Sequence, residues 1–159
     1  MNRTIPRYAL IPTRDRPAQL ESLVRSLAEV CDVVVVIDNG SSPPVTSTTL
    51  LEWLGATDTD VAVTRNEDQP PNLYHLWNLG FDSIRYRLLD DNVTLWDVAV
   101  FNDDTVIPAG WFDYVAHALR GTDAAVACTD PYGTLQTSLR KTQPDGNIHT
   151  RMCPWAFVV

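Results

Sequence analysis

The chain has 159 residues, a length typical of one domain, so we expect a single domain over residues 1–159. Hydrophobic residues make up 45% of the chain and charged residues 20%, which excludes a disordered chain, a collagen and a coiled coil. The formal net charge of −8 argues against binding to nucleic acid or to an anionic membrane, because both would repel an acidic protein.

The cysteines and the apolar runs indicate the compartment. The three cysteines, Cys31, Cys128 and Cys153, are odd in number and far apart, so they fit neither a disulfide framework nor a CxxC zinc site. The first residues lack the apolar region of a signal peptide, and the longest apolar run, residues 33–37, is too short to span a bilayer. We therefore expect a cytoplasmic protein without a transmembrane segment.

The first part of the chain predicts a strand, a helix and a second strand. Residues 8–12 form a short apolar strand, after which Asp15 is suited to cap a helix whose first turn contains Pro17. Residues spaced three and four apart form the apolar stripe of this helix: Leu20, Leu23, Val24 and Leu27. Residues 33–37 are all β-branched and apolar, which is typical of a central strand covered on both faces in a parallel sheet.

The alternation of strand and helix continues towards the C-terminus. A long helix is predicted over residues 72–89, although Gly80 in its interior costs about 1 kcal/mol relative to alanine. Shorter helices are predicted at residues 49–54 and 110–120, and further strands at residues 61–63, 96–101, 124–128 and 155–159. This order predicts an α/β fold, Rossmann-like in its layers, with a mainly parallel sheet flanked by helices.

Polar residues follow four of the predicted strands. They are Thr13-Arg14, Asp38-Asn39, Arg65-Asn66 and Asn102-Asp103-Asp104. Because ligands of parallel sheets bind beyond the carboxyl ends of the strands, we expect these segments to converge on one rim. Carboxylates there suit Mg²⁺ or Mn²⁺, and arginines suit phosphate oxygens, so a nucleotide diphosphate is favoured over the alternative of a solvated turn.

The sequence lacks the motifs of several other nucleotide-binding and catalytic classes. The glycine loops of dinucleotide-binding and P-loop proteins are absent from the sequence, as is the G-x-S-x-G elbow of α/β-hydrolases, so a metal would have to neutralise phosphate charge. The three histidines, His75, His117 and His149, have no ligand spacing and are expected to be structural. Trp111 and Trp155 are more typical of a core or an interface than of a sugar platform.

Four ordered blocks of the sequence resemble family 2 glycosyltransferases of the GT-A fold. They are residues 11–17 (IPTRDRP), residues 35–41 (VVIDNGS), Asn66 with residues 78–80 (NLG), and residues 100–104 (VFNDD) with residues 108–111 (PAGW). Together they cover nearly the whole chain in the family's order. The resemblance implies an inverting, metal-dependent transferase that uses a nucleotide-diphosphate sugar, most simply a UDP-sugar, with Mn²⁺ or Mg²⁺.

The resemblance also implies roles for particular residues. Asp38 would meet the base, and Gly80 would let its helix pack beneath the donor. In the family's DXD-type motif the middle carboxylate lies near the ribose or sugar and the last binds the metal, positions matched by Asp103 and Asp104. The first position is Asn102, which keeps an oxygen donor for the metal and removes one charge. The other residues implied to bind the nucleotide sugar are Pro12, Thr13, Arg14, Asn39, Arg65, Asn66 and Asn78.

The resemblance leaves the catalytic base and the acceptor open. An inverting transferase needs a carboxylate to deprotonate the acceptor hydroxyl. In similar proteins the base and the acceptor-binding helices follow the strand that residues 155–159 resemble, so we expect this C-terminal part to be lacking. Asp130 and Asp145 do not match the family's base motif, and no catalytic base is assigned.

Three alternatives compete with a transferase. The first is a non-catalytic nucleotide-sugar-binding module or a truncated transferase, and a base carboxylate beyond residue 159 would discriminate a transferase from the binding module. A nucleotidyltransferase would carry a glycine-rich loop after the first strand, where residues 13–17 have no glycine. A flavodoxin-like or receiver-like domain also has acidic strand ends, but it accounts for neither Asn78-x-Gly80 nor Arg65.

Overall fold

A computed structural model describes residues 5–28, 30–67, 72–90, 93 and 95–120, together with the backbone of four short strands nearer the C-terminus. The elements are β1 (Arg7–Thr13), α1 (Pro17–Leu27), β2 (Val33–Asp38), α2 (Ser47–Leu54), β3 (Asp60–Arg65), α3 (Leu73–Asp90), β4 (Asp97–Phe101), α4 (Trp111–Arg120), β5 (Ala127–Cys128), β6 (Lys141–Thr142), β7 (Ile148–His149) and β8 (Ala156–Val158). The predicted α/β fold with a mainly parallel sheet flanked by helices is confirmed.

The main sheet has six strands in the order β3-β2-β1-β4-β8-β5. β1 pairs in parallel with β2 and β4, and β2 pairs in parallel with β3. β8 is antiparallel to both of its neighbours, and β6 and β7 form a separate antiparallel pair. The carboxyl ends of β1, β2, β3 and β4 therefore lie at one edge of the sheet, as the sequence predicts.

The apolar residues of β2 explain why the sheet has two covered faces. Val34 and Val36 pack in one core cluster with the apolar stripe of α1, while Val35 and Ile37 pack in a second cluster with residues of α3. Side chains alternate between the two faces of a strand, so an unbroken apolar run needs a helical layer on each side. As predicted, β2 is an interior strand, between β1 and β3.

The start of α1 differs in part from its prediction. All four residues of its predicted apolar stripe are buried, and proline stands in its first turn. The predicted cap is wrong, because Arg16 is the N-cap residue and no side chain caps the helix. Asp15 has φ +53° and instead joins two loops: its amide donates to Ser41 Oγ at 3.0 Å, and its Oδ1 accepts from the Ser42 amide at 2.8 Å.

Gly80 is explained by the close approach of α3 to β1. A Cβ atom placed on Gly80 would lie 2.0 Å from Leu10 Cδ1 and 2.7 Å from Leu10 Cδ2. Leu10 is completely buried in the core beneath α3, so its side chain has little room to turn away. The helix therefore needs glycine here for packing.

We expect Gly80→Ala to lower the free energy of unfolding by about 1–3 kcal/mol, because overpacking against Leu10 outweighs the roughly 1 kcal/mol gain in helix propensity. Urea denaturation followed by far-UV circular dichroism measures this change. In the double variant with Leu10→Ala, Gly80→Ala should cost less than it does alone. A Gly80→Ala protein as stable as the wild type would contradict the packing explanation.

Within the part of the chain that the structure describes, none of the helices combines the length and the apolar character needed to cross a membrane. Residues 124–126 of a predicted strand, the side chain of Cys128, and Cys153 lie outside the described residues. Cys31 is a buried thiol.

Candidate functional site

A cleft of about 540 Å³ opens at the carboxyl edge of the parallel strands. The end of β1 and the turn after β4 form two of its sides, and the start of α3 contributes an apolar side. Its lining residues are Pro12, Thr13, Arg14, Arg16, Asn39, Leu73, Leu76, Asn102, Asp103 and Asp104. The structure thus brings together all of the polar residues that the sequence places at the ends of β1 and β4.

An acidic pair follows β4. All residues of β4 are buried, and the Thr105 amide donates to the Asn102 carbonyl at 3.1 Å, which closes a tight turn directly after the strand. Asp103 points inward: its Oδ2 accepts from Thr13 Oγ1 at 2.8 Å, and only 9% of its side chain is exposed. The Asp104 side chain is 44% exposed and faces the cleft.

Arg16 joins the two carboxylates. Its NH1 nitrogen lies 3.2 Å from Asp103 Oδ1 and 3.1 Å from Asp104 Oδ2. Arg16, unlike Arg14, is not among the residues predicted for this site from the sequence, although both belong to the same block. The available signal was its place between β1 and α1, because the residue before a helix that follows a parallel strand lies at the ligand edge.

The oxygen atoms of the cleft fit a divalent ion that is shared with a ligand. Asp103 and Asp104 supply carboxylates and Asn102 an amide carbonyl, and Mg²⁺ commonly binds one or two carboxylates while phosphates and waters complete its shell. Among the described residues there is no group of three or more His, Cys, Asp or Glu side chains that could hold a metal. A metal here would therefore need oxygen atoms from the bound ligand.

Asp38 is enclosed beneath the cleft instead of lining it. Its side chain has no exposed surface, and its Oδ1 accepts from the Ser41 amide at 2.9 Å. Its Oδ2 accepts from the Val45 amide at 3.1 Å and from Arg65 NH1 at 2.7 Å. The predicted contact with a nucleotide base stays a prediction. In this structure the carboxylate fixes the loop that follows β2.

Arg65 is held by carboxylates at the end of β3. Besides Asp38, its guanidinium donates to Glu67 Oε1 at 2.8 Å and to the Ser41 carbonyl at 3.3 Å. The hydrogen bond that Arg65 donates to Glu67 and the negative charges of Asp38 and Glu67 raise the pKa of Arg65 above its ordinary value. Arg65 therefore stays protonated, and its charge is directed at the loop of residues 38–45.

Asn66 and Asn39 connect the ends of β3 and β2. Asn66 Nδ2 donates to Asn39 Oδ1 at 2.8 Å, and both side chains belong to buried residues. The Asn39 amide in turn donates to the Thr13 carbonyl at 2.9 Å. Asn39 reaches the cleft, whereas Asn66 supports it from behind.

The structure places the remaining candidates away from the cleft. Asn78 is exposed on α3, and Gly80 packs on Leu10 of β1, so neither is part of the cleft lining. His75 and His117 are exposed and also outside the lining. Trp111 packs against Phe101, with ring centroids 5.3 Å apart. Asp130, Asp145, Trp155 and the side chain of His149 lie outside the described residues.

A comparison with models of known protein families finds no match, and no curated protein matches the sequence significantly. Function is therefore inferred from the sequence blocks, the fold and the cleft.

Proposed function

We propose that the cleft binds a nucleotide-diphosphate sugar together with Mn²⁺ or Mg²⁺, and that the chain is the donor-binding domain of a GT-A glycosyltransferase similar to family 2. The observation that carries this proposal is the combination of Arg14, Arg16, Asp103 and Asp104 in one cleft at the ligand edge of a parallel sheet. Cationic side chains and paired carboxylates together suit a diphosphate that is bound with a metal ion.

Charge and size both support this ligand. The arginines offer hydrogen-bond donors to phosphate oxygens, and Asp104 offers an exposed carboxylate oxygen to the ion. When bound, the ion would neutralise charge on the diphosphate leaving group. Leu73 and Leu76 give one apolar wall, which suits the face of a base or a sugar ring. The volume of about 540 Å³ is in the ordinary range of small-molecule sites.

Binding of the donor without transfer is the second candidate function. Asp103 and Asp104 are the cleft's carboxylates within the described part of the chain, and Arg16 binds both of them. A general base has to accept a proton from the acceptor, and a carboxylate paired with an arginine is poorly suited to that role. Transfer would then need a carboxylate from outside the described residues.

Calorimetric titration of the chain with UDP, GDP, TDP and their sugar conjugates, with and without Mn²⁺, tests donor binding. We expect one nucleotide to bind with a Kd of about 1–100 μM and to require the metal. UMP, GMP and TMP are matched controls, because they carry one phosphate in place of the diphosphate. If a folded sample binds none of the nucleoside diphosphates, the proposal is overturned.

Release of nucleoside diphosphate from the bound conjugate, in the presence of Mn²⁺ and candidate acceptor sugars, distinguishes the two functions. A transferase releases the diphosphate in an acceptor-dependent reaction. A binding module retains the intact conjugate under the same conditions.

A further inference from the structure

We infer that Arg16 is an internal counter-cation of the acidic pair: it offsets part of the pair's negative charge in the absence of metal, and it leaves the pair when a divalent ion arrives with the diphosphate. The inference rests on the proposed function, because it concerns the same cleft, and it adds how metal and ligand binding are coupled there.

The position of one nitrogen atom is the first support. Arg16 NH1 is within hydrogen-bond distance of a carboxylate oxygen of Asp103 and of one of Asp104, at 3.2 and 3.1 Å. A divalent ion held by these two residues would compete with Arg16 for their carboxylates. Two neighbouring carboxylates repel each other, so a cation between them is favourable whether it is a side chain or a metal.

The difference in exposure shows which partner is able to move. Asp103 is held from below by Thr13 and is nearly buried, so its carboxylate stays in place. The Arg16 side chain is 52% exposed, and the backbone of Arg16 is fixed because its carbonyl accepts from the Leu20 amide at 3.0 Å. The guanidinium is therefore free to leave the carboxylates without disturbing the core.

A displaced guanidinium has an obvious new partner. Arg16 lines the cleft, so after release its charge stays close to the diphosphate that enters with the metal. Guanidinium groups bind phosphate oxygens with two parallel hydrogen bonds, which replace the bonds lost to the carboxylates. Because of this exchange, the cleft has a low affinity for the metal when no diphosphate is bound. Binding of the diphosphate raises that affinity.

Binding of Mn²⁺ to the full chain without nucleotide, measured by calorimetry and by the electron paramagnetic resonance signal of free Mn²⁺, tests the exchange. We expect Arg16→Gln to bind Mn²⁺ roughly tenfold more tightly than the wild type, because a competing positive charge is gone. The same variant should bind UDP more weakly at saturating Mn²⁺. Arg16→Lys keeps the charge but loses the planar guanidinium that can make two parallel hydrogen bonds. Its affinities for Mn²⁺ and for UDP should lie between those of the wild type and Arg16→Gln.

Arg25→Gln is the matched control. It removes the same charge from α1, the helix that begins directly after Arg16, at a site where Arg25 pairs with Glu21 outside the cleft, so both affinities should stay at the wild-type values. The inference is overturned if Arg16→Gln binds Mn²⁺ no more tightly than the wild type, or if neither protein binds Mn²⁺. Failure of the wild type to bind any nucleoside diphosphate counts against the proposed function, since the Mn²⁺ measurement contains no nucleotide.

Discussion

Replacing Asp38 with alanine should lower the free energy of unfolding by about 3–5 kcal/mol, because the change removes a buried carboxylate that accepts several hydrogen bonds. The Ser41 and Val45 amides lose their acceptor inside the protein, and Arg65 loses its shortest ion pair. The loop after β2 would then have no fixed position. Chemical denaturation followed by circular dichroism measures the loss.

Glu67→Ala is the matched control, because it removes the other carboxylate that binds Arg65. The Glu67 side chain is 75% exposed, so its ion pair should contribute about 1 kcal/mol or less. Asp38→Asn removes the negative charge and keeps the size of the side chain. Its oxygen can still accept from the Ser41 amide, but its NH₂ group would face the donors of Val45 and Arg65. We expect this variant to be intermediate. Equal stability of Asp38→Ala and Glu67→Ala would contradict the role of Asp38 in fixing the loop.

The layers of the fold were predictable because they depend on local patterns. A strand made only of β-branched apolar residues is stable when both of its faces are covered by other apolar residues. The run at residues 33–37 is found within β2, between two helical layers. The apolar stripe of α1 was likewise predictable from residues spaced three and four apart, and all of its residues are buried. The meeting of strand ends followed from parallel pairing, which itself follows from the alternation of strand and helix.

The partners of the polar side chains were not predictable in this way. Asp15 has the right residue type and position for a helix cap, yet it binds the loop of Ser41 and Ser42, which only the tertiary structure brings near. Gly80 was noticeable in the sequence as an unusual helix residue, but its reason is a side chain on β1. Which arginine binds the acidic pair likewise depends on how the β1 end faces the turn after β4.

Asp104→Ala should abolish metal-dependent nucleotide binding and leave the fold intact. Asp104 is the exposed member of the acidic pair, and it pairs with the half-exposed Arg16, so its removal should change stability by about 1 kcal/mol or less. Loss of a direct metal ligand should weaken nucleotide affinity in Mn²⁺ by at least roughly 100-fold, since even outer-shell changes at metal sites cost about 10–100-fold. Calorimetric titration with the nucleotide that the wild type binds measures the effect.

Two further variants complete this prediction. Asp113→Ala removes an exposed carboxylate on α4, outside the cleft lining, and should leave nucleotide affinity unchanged. Asn102→Asp adds a carboxylate beside the acidic pair and should tighten Mn²⁺ binding, because a third negative charge strengthens the attraction of a divalent ion. If Asp104→Ala keeps its Mn²⁺-dependent affinity, Asp104 is not a metal ligand, and the assignment of the metal to the turn after β4 is contradicted.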